Sequence, residues 1–316
     1  SARASVRQSG WTTERPSSLS LPRDGRATNT CGTQIVRYCQ STARHEFPGL
    51  EPESPLTSEE LQSLARSLQT LARGVLGDRL DARGPEAAEQ ARAFRDELGH
   101  SRAVDEPLIL HVLGWAFSGD ARAVRTRSAD ASPDIRRWWD LVERQGGGPA
   151  ALPAAWPTLA ETSTSPGPIV PRPGIAGAEP GDAGAIEVWT ETELRALHAQ
   201  WWLAQRSTHA LVQQGLIDGV RSAAAWHVEH TQPDNATGYP WAAHVFLIEA
   251  AIRTSRREPG ASEAAMFGQT LIHNALVNPA SRAPGTPDLL SAWILADVAA
   301  ALWAWLAKPL GRSSVP

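Results

Sequence analysis

The stretch Thr286-Pro287-Asp288-Leu289-Leu290-Ser291-Ala292-Trp293-Ile294-Leu295-Ala296-Asp297-Val298-Ala299-Ala300-Ala301-Leu302-Trp303-Ala304-Trp305-Leu306 is apolar almost all round. Pro287 suits a first helical turn, where its missing N–H leaves nothing unpaired, and the run that follows is almost long enough to cross a bilayer. Asp297 interrupts it, however, and insertion scales set a cost of about 2.5 to 3.5 kcal/mol on a carboxylate at that depth. The remaining residues are mainly Ala rather than Leu or Phe. This composition favours a helix buried at the centre of an all-α protein; a membrane-seeking helix is the alternative reading. Its surplus apolar area is also compatible with self-association into a homo-oligomer.

Upstream of this stretch the helical period continues. Thr190 to Glu193 has the logic of a capping box, with Leu194, Leu197 and Trp201 as the buried stripe behind it. A helix over about Thr208 to Thr231 carries Ile217, Val220, Ala224 and His227 on one face, and Gly215 and Gly219 are candidate kink points. A short loop, Gln232 to Tyr239, leads to Pro240 at another first-turn position and to a helix burying Trp241, Val245, Ile248 and Ile252. A further helix spans roughly Ser262 to Val277. Short connections of this kind make neighbouring helices antiparallel, so residues 189–308 read as a helical-hairpin domain.

The first half reads differently. Residues 1–55 form an expected disordered arm, since the first 50 hold seven Arg against three acids and no apolar stripe. Thr57-Ser58-Glu59-Glu60 is a capping box, and Leu61, Leu64, Leu68, Leu71 and Val75 follow at steps of three and four, an amphipathic helix. Helices from Pro85 to before Gly99, from about Pro107 to Trp115, and from Ser132-Pro133 through Trp138 and Trp139 complete a small N-terminal bundle over 56–145. Residues 146–188 hold eight Pro and eight Gly and read as a linker. A tail occupies 309–316.

Composition closes several routes. The chain has 316 residues, a formal net charge of −4 and a pI of about 6.1. Residues 51–316 carry 23 basic against 31 acidic side chains, so no whole-surface field attracts nucleic acid, and Arg136-Arg137-Trp138-Trp139 reads as an exposed arginine face rather than a nucleic-acid surface. Lys308 is the single lysine, which removes most routes to Schiff-base chemistry. Cys31 and Cys39 lack a second ligand pair for structural zinc and read as free thiols. Residues 1–21 contain no secretory apolar core, which leads to an expected cytoplasmic location. No Walker loop, Gly-x-Ser-x-Gly elbow or dinucleotide fingerprint occurs, and no cofactor is expected.

Six of nine His and eight of thirteen Trp follow residue 188, densest from Trp226 to His244. His227 and His230 lie three apart on a helix and project from neighbouring turns. An antiparallel return brings His244 toward them, with Asp234 and Asn235 at the tip. Such a group can hold a polar ligand, with Trp226, Asn235, Thr237, Tyr239 and Trp241 as ligand-binding candidates. It can also perform acid–base catalysis through His227, His230, Asp234 and His244, with Asp234 fixing a tautomer. His-x-x-His is not a zincin pair, and no metal is expected. The plain alternative is that His227 and His244 are hydrogen-bonded core histidines and Pro233-Asp234-Asn235 a turn. Trp201-Trp202 and Trp303-x-Trp305 are read as core packing rather than a stacking platform.

With its antiparallel helices, polar tip and inward His and Trp, the region 189–307 resembles α/α-hairpin proteins, including the α/α-toroid enzymes acting on sugars. That resemblance implies a polar pocket where helix ends meet. The leading expectation is a non-catalytic interaction or ligand-binding module for a protein or small polar ligand. A carbohydrate-directed or metal-dependent enzyme, and membrane association through the last helix, are the alternatives.

Overall fold

Capping and apolar spacing decide where the helices begin and which faces they bury. In this computed structural model the described residues are 56–101, 105–116, 183–207, 210–233, 237–277 and 285–308, with the backbone alone for 115–116 and 183–189. The expected arm, tail and fourth helix, most of the expected linker, both cysteines, Arg136–Trp139, Asp234 and Asn235 lie outside them. Among the described residues the protein is all-α, with no strand.

Helix α1 (Ser58–Leu76) opens on the capping box: the Glu60 amide donates to Thr57 Oγ1 at 3.2 Å and the Thr57 amide to Glu60 Oε2 at 2.7 Å. A 3₁₀ turn follows at Gly77–Asp81. Helix α2 (Gly84–Ala93) ends earlier than its sequence pattern suggests. Asp96 is the reason: its Oδ1 accepts from the amides of Leu98 and His100, at 2.9 and 2.7 Å, and this local turn competes with another helical turn. Helix α3 (Asp105–His111) passes into one π-helical turn at Val112–Ala116.

Helix α4 (Ala183–Arg206) starts within the expected linker and well before the expected cap at Thr190. Residues 183–189 contain no proline to stop it. Thr190 and Glu193 are therefore interior residues, buried on the same stripe as Leu197 and Trp201. Helix α5 (Ala210–His230) runs unbroken past Gly215 and Gly219. Gly219 serves packing instead of kinking, because a Cβ there would come within 2.9 Å of the Gln200 side chain of α4.

Helix α6 (Ala243–Arg256) begins three residues beyond Pro240, after Ala242 takes a left-handed conformation at φ 58°. Helix α7 (Ala261–Val277) packs against it. Arg221 pairs with Glu249, and His227 lies against Phe246, so α5 and α6 run antiparallel.

Helix α8 (Leu289–Ala307) is the axis. Asp288 caps it by accepting from the Ser291 amide at 2.7 Å, and Glu97 accepts from the Leu289 amide at 2.8 Å. Two carboxylates thus meet the positive end of the helix dipole. Along its length α1 lies against it, and α3, α4, α6 and the π-helical turn complete the sheath. Every residue from Leu289 to Leu302 is buried, as is Trp305. The helices before residue 117 and after residue 182 therefore share one apolar core.

Candidate functional site: a buried His–Asp–Trp cluster

A carboxylate halfway along an apolar helix must find donors or become neutral, because burial of an unpaired charge is costly. Asp297 is wholly buried and finds them on two neighbouring helices. His198 and Trp202 sit four residues apart on α4 and so share a face. His198 Nε2 approaches Asp297 Oδ2 at 2.5 Å, and Trp202 Nε1 donates to the same oxygen at 2.6 Å. His111, at the end of α3, brings its Nε2 to 3.3 Å from the other oxygen, Oδ1, at an angle too oblique for a well-formed hydrogen bond.

The far nitrogens of both imidazoles assign the protons. The Ala242 amide donates to His198 Nδ1 at 3.1 Å, so that nitrogen carries a lone pair and the proton of the neutral ring resides on Nε2. Ala242 directs its amide there from the left-handed conformation just before α6. Arg206 Nη2 lies 3.2 Å from His111 Nδ1, and since a guanidinium has only donors, His111 likewise carries its proton on Nε2. Asp297 thus faces three N–H groups. Lone pairs suited to a cation do not face it, and among the described residues no group of three or more His, Cys, Asp or Glu is set to hold a metal ion.

Electrostatics follow from this arrangement. Burial alone would raise the Asp297 carboxyl; its interactions with the nearby His111 and His198 outweigh it and hold the group below the usual carboxylate range. Burial pushes His111 down to about 4, with Asp297 opposing and Arg206 reinforcing the shift. His244, in the first turn of α6, stands edge-on to His198 with ring centroids 4.4 Å apart and to Trp201 at 4.9 Å. Neither of its nitrogens has a hydrogen-bond partner, and burial first, then His198, drives it well below the ordinary imidazole value. At neutral pH His111 and His244 are therefore neutral rings beside the buried Asp297 anion.

A general base needs a free imidazole nitrogen facing substrate. The far nitrogens of His198 and His111 are both engaged by N–H donors, and all four groups, His111, His198, His244 and Asp297, are buried.

The residues singled out in the sequence fall into separate places. His227 is buried beside Glu193, with Nε2 3.7 Å from Oε1, and its Nδ1 lies 3.2 Å from Thr231 Oγ1. His230 is exposed, stacked on Trp226 at 4.9 Å, with Nδ1 at 2.9 Å from the Trp226 carbonyl. His244 belongs to the Asp297 cluster and meets neither of them. Trp241 is fully buried next to His198, and Arg195 lies 5.4 Å over its ring. Tyr239 and Thr237 are half-buried and joined through the Tyr239 amide and Thr237 Oγ1 at 3.1 Å. Sequence reasoning noticed Asp297 only as an obstacle to membrane insertion. The unused signal was that such a carboxylate requires a partner, and His198 and Trp202 stood at helical spacing to provide one.

A second feature opens outward. Between α4, α5, α6 and α8 a cavity of about 20 Å³ is walled by Trp201, Ile217, Val220, Ile248, Ile252 and Trp305. Arg221 and Glu249 close its rim, with Arg221 Nε donating to Glu249 at 2.8 Å and Nη2 to Glu258 at 3.0 Å. The hydrogen bond to Glu249 raises the Arg221 value further. No protein family, curated protein or solved structure matches the chain.

Proposed function

We propose that this protein is a non-catalytic helical ligand-binding module, with the antiparallel hairpins of residues 189–308 as its ligand-bearing part. The observation that supports this reading is the apolar slot between Trp201 and Trp305, rimmed by the Arg221–Glu249 pair. An apolar lining with a few oriented polar groups at the mouth is the chemistry of a small-molecule site, here on the scale of a single methyl group. A space of this size admits about one water-sized group, so the ligand places a terminal methyl between the tryptophans, with the rest of its chain along the mouth and its polar head against the ion pair. The separation of buried His227 and His244 from the exposed His230 argues against the acid–base alternative that groups them.

Octanol, titrated calorimetrically into the full chain, is expected to bind saturably. Ala204 of α4 also lines the slot; Ala204→Leu fills it and weakens that binding by about tenfold, equivalent to about 1.4 kcal/mol, while far-UV circular dichroism stays unchanged. The absence of saturable heat, or equal affinity in a folded Ala204→Leu variant, would overturn the reading.

A further inference from the structure

The central helix combines two properties that are rarely needed together. Leu289–Ala307 is long and apolar enough to cross a membrane, and 83% of its most apolar window is buried inside the protein. Its single ionisable residue, Asp297, is the one held by imidazoles from the sheath. Histidine is the side chain whose ordinary titration range lies just below neutrality. Three imidazoles therefore surround the only charge that opposes insertion of α8.

We propose that α8 is a membrane-inserting helix, kept in its sheath at neutral pH by the His111–His198–Asp297 cluster and released into a lipid bilayer when acid protonates His111 and His244. The groups facing the cluster are His111 from α3, His198 and Arg206 from α4, and His244 from α6. The cation of α1 placed against α8, Arg66, lies 6.0 Å over Trp303, away from Asp297. Protonation of His111 and His244 places cations beside His198 and Arg206, with one carboxylate to balance them. His244 amplifies this effect, since its unpartnered nitrogens offer an added proton no acceptor. After release, Asp297 takes up a proton in the hydrocarbon environment, because burial without partners favours the neutral acid. The helix then carries no charge. This inference does not rest on the ligand slot.

Flotation of the full chain with vesicles of phosphatidylcholine alone tests it, at pH 7.5 and pH 4.5, followed by a wash in 1 M salt. Uncharged vesicles and the wash matter because a chain with a pI of about 6.1 becomes cationic in acid and would adhere to anionic lipid without inserting. The expected result is at least about tenfold more protein floating at pH 4.5, retained through the wash. His244→Leu removes a proton acceptor that makes no hydrogen bond, and should move the midpoint of binding to lower pH by about half a unit or more. Asp297→Asn, which removes the anion the sheath holds, should float already at pH 7.5. Failure to float at pH 4.5, equal flotation at both pH values, loss on salt washing, or an unchanged midpoint in folded His244→Leu would overturn the proposal. Flotation of Asp297→Asn only in acid would overturn it too.

Discussion

Asp297 concentrates the chemistry of the molecule in one side chain, and the donors around it differ in what their removal should do. Trp202→Phe keeps an aromatic ring but deletes the N–H that reaches the carboxylate at 2.6 Å, and it leaves a gap where the rest of the indole is fully buried. Hydrogen bonds to a buried charge contribute about 1.5 to 3 kcal/mol, and the gap adds to that, so urea unfolding of this variant should show a loss of at least about 2 kcal/mol. A change below about 0.5 kcal/mol would mean that Asp297 does not depend on that bond. At the residue scale the sequence was only partly legible. Asp297 was visible as an anomaly, because nothing else in its helix is charged. Its partners were not, since His111 lies 186 positions away and nothing local marks His198 as different from any histidine on a helix. Pairing across such separations is fixed by how helices pack.

Elements were more legible, because the signals that make them are local. The capping box at Thr57 and the Leu stripe behind it place α1 directly, and α7 follows its expected span closely. Errors arose where a local signal was outvoted. Thr190 and Glu193 have the spacing of a cap, but proline-free residues before them continue the helix and turn both side chains into the core. Pro240 suggested the start of α6, whereas the left-handed Ala242 delays it. Glycines at helix contacts gave no sequence signal for their role. Gly268 on α7 is such a case: a Cβ there would lie 2.9 Å from both the Ala243 carbonyl oxygen and Leu247 Cγ of α6. One of these contacts is backbone and cannot easily give way, so Gly268→Ala should destabilise the protein by about 1 to 3 kcal/mol despite its better helix propensity. Thermal unfolding reads this directly; a raised melting temperature would show that α6 and α7 are not pressed together at that point.

For the whole molecule, the pairing of a depressed imidazole with a depressed carboxylate gives stability a single direction with pH. His111 is held at about 4 when folded, against an ordinary value of 6.5, so the unfolded chain binds the extra proton throughout that interval. Stability is therefore lost as pH falls from about 6.5 toward 4, and His111 contributes no further loss below that. His244 shifts in the same direction and adds to the slope over its own interval. Asp297, held low, adds its loss only at more acid pH, below the ordinary carboxylate range. From His111 alone, unfolding free energy should drop by about 2 kcal/mol between pH 7 and pH 5. Urea midpoints at the two pH values measure it, and a midpoint that rises in acid would contradict this account. The all-α class was readable from period and composition alone. The placement of α1 along α8 was not, because the apolar stripe of α1 fits any apolar partner and the sequence does not name one.

The backbone of Ala242 carries a consequence for substitution. The proton on His198 is assigned by a main-chain amide, and every amino acid except proline possesses that donor. Side-chain replacements at position 242 therefore leave the tautomer untouched as long as the chain can still turn there, and glycine, which enters the left-handed region without penalty, should hold the turn more comfortably than alanine. Because Ala242 is fully buried, only a residue as small as glycine keeps both this amide and the packing around it.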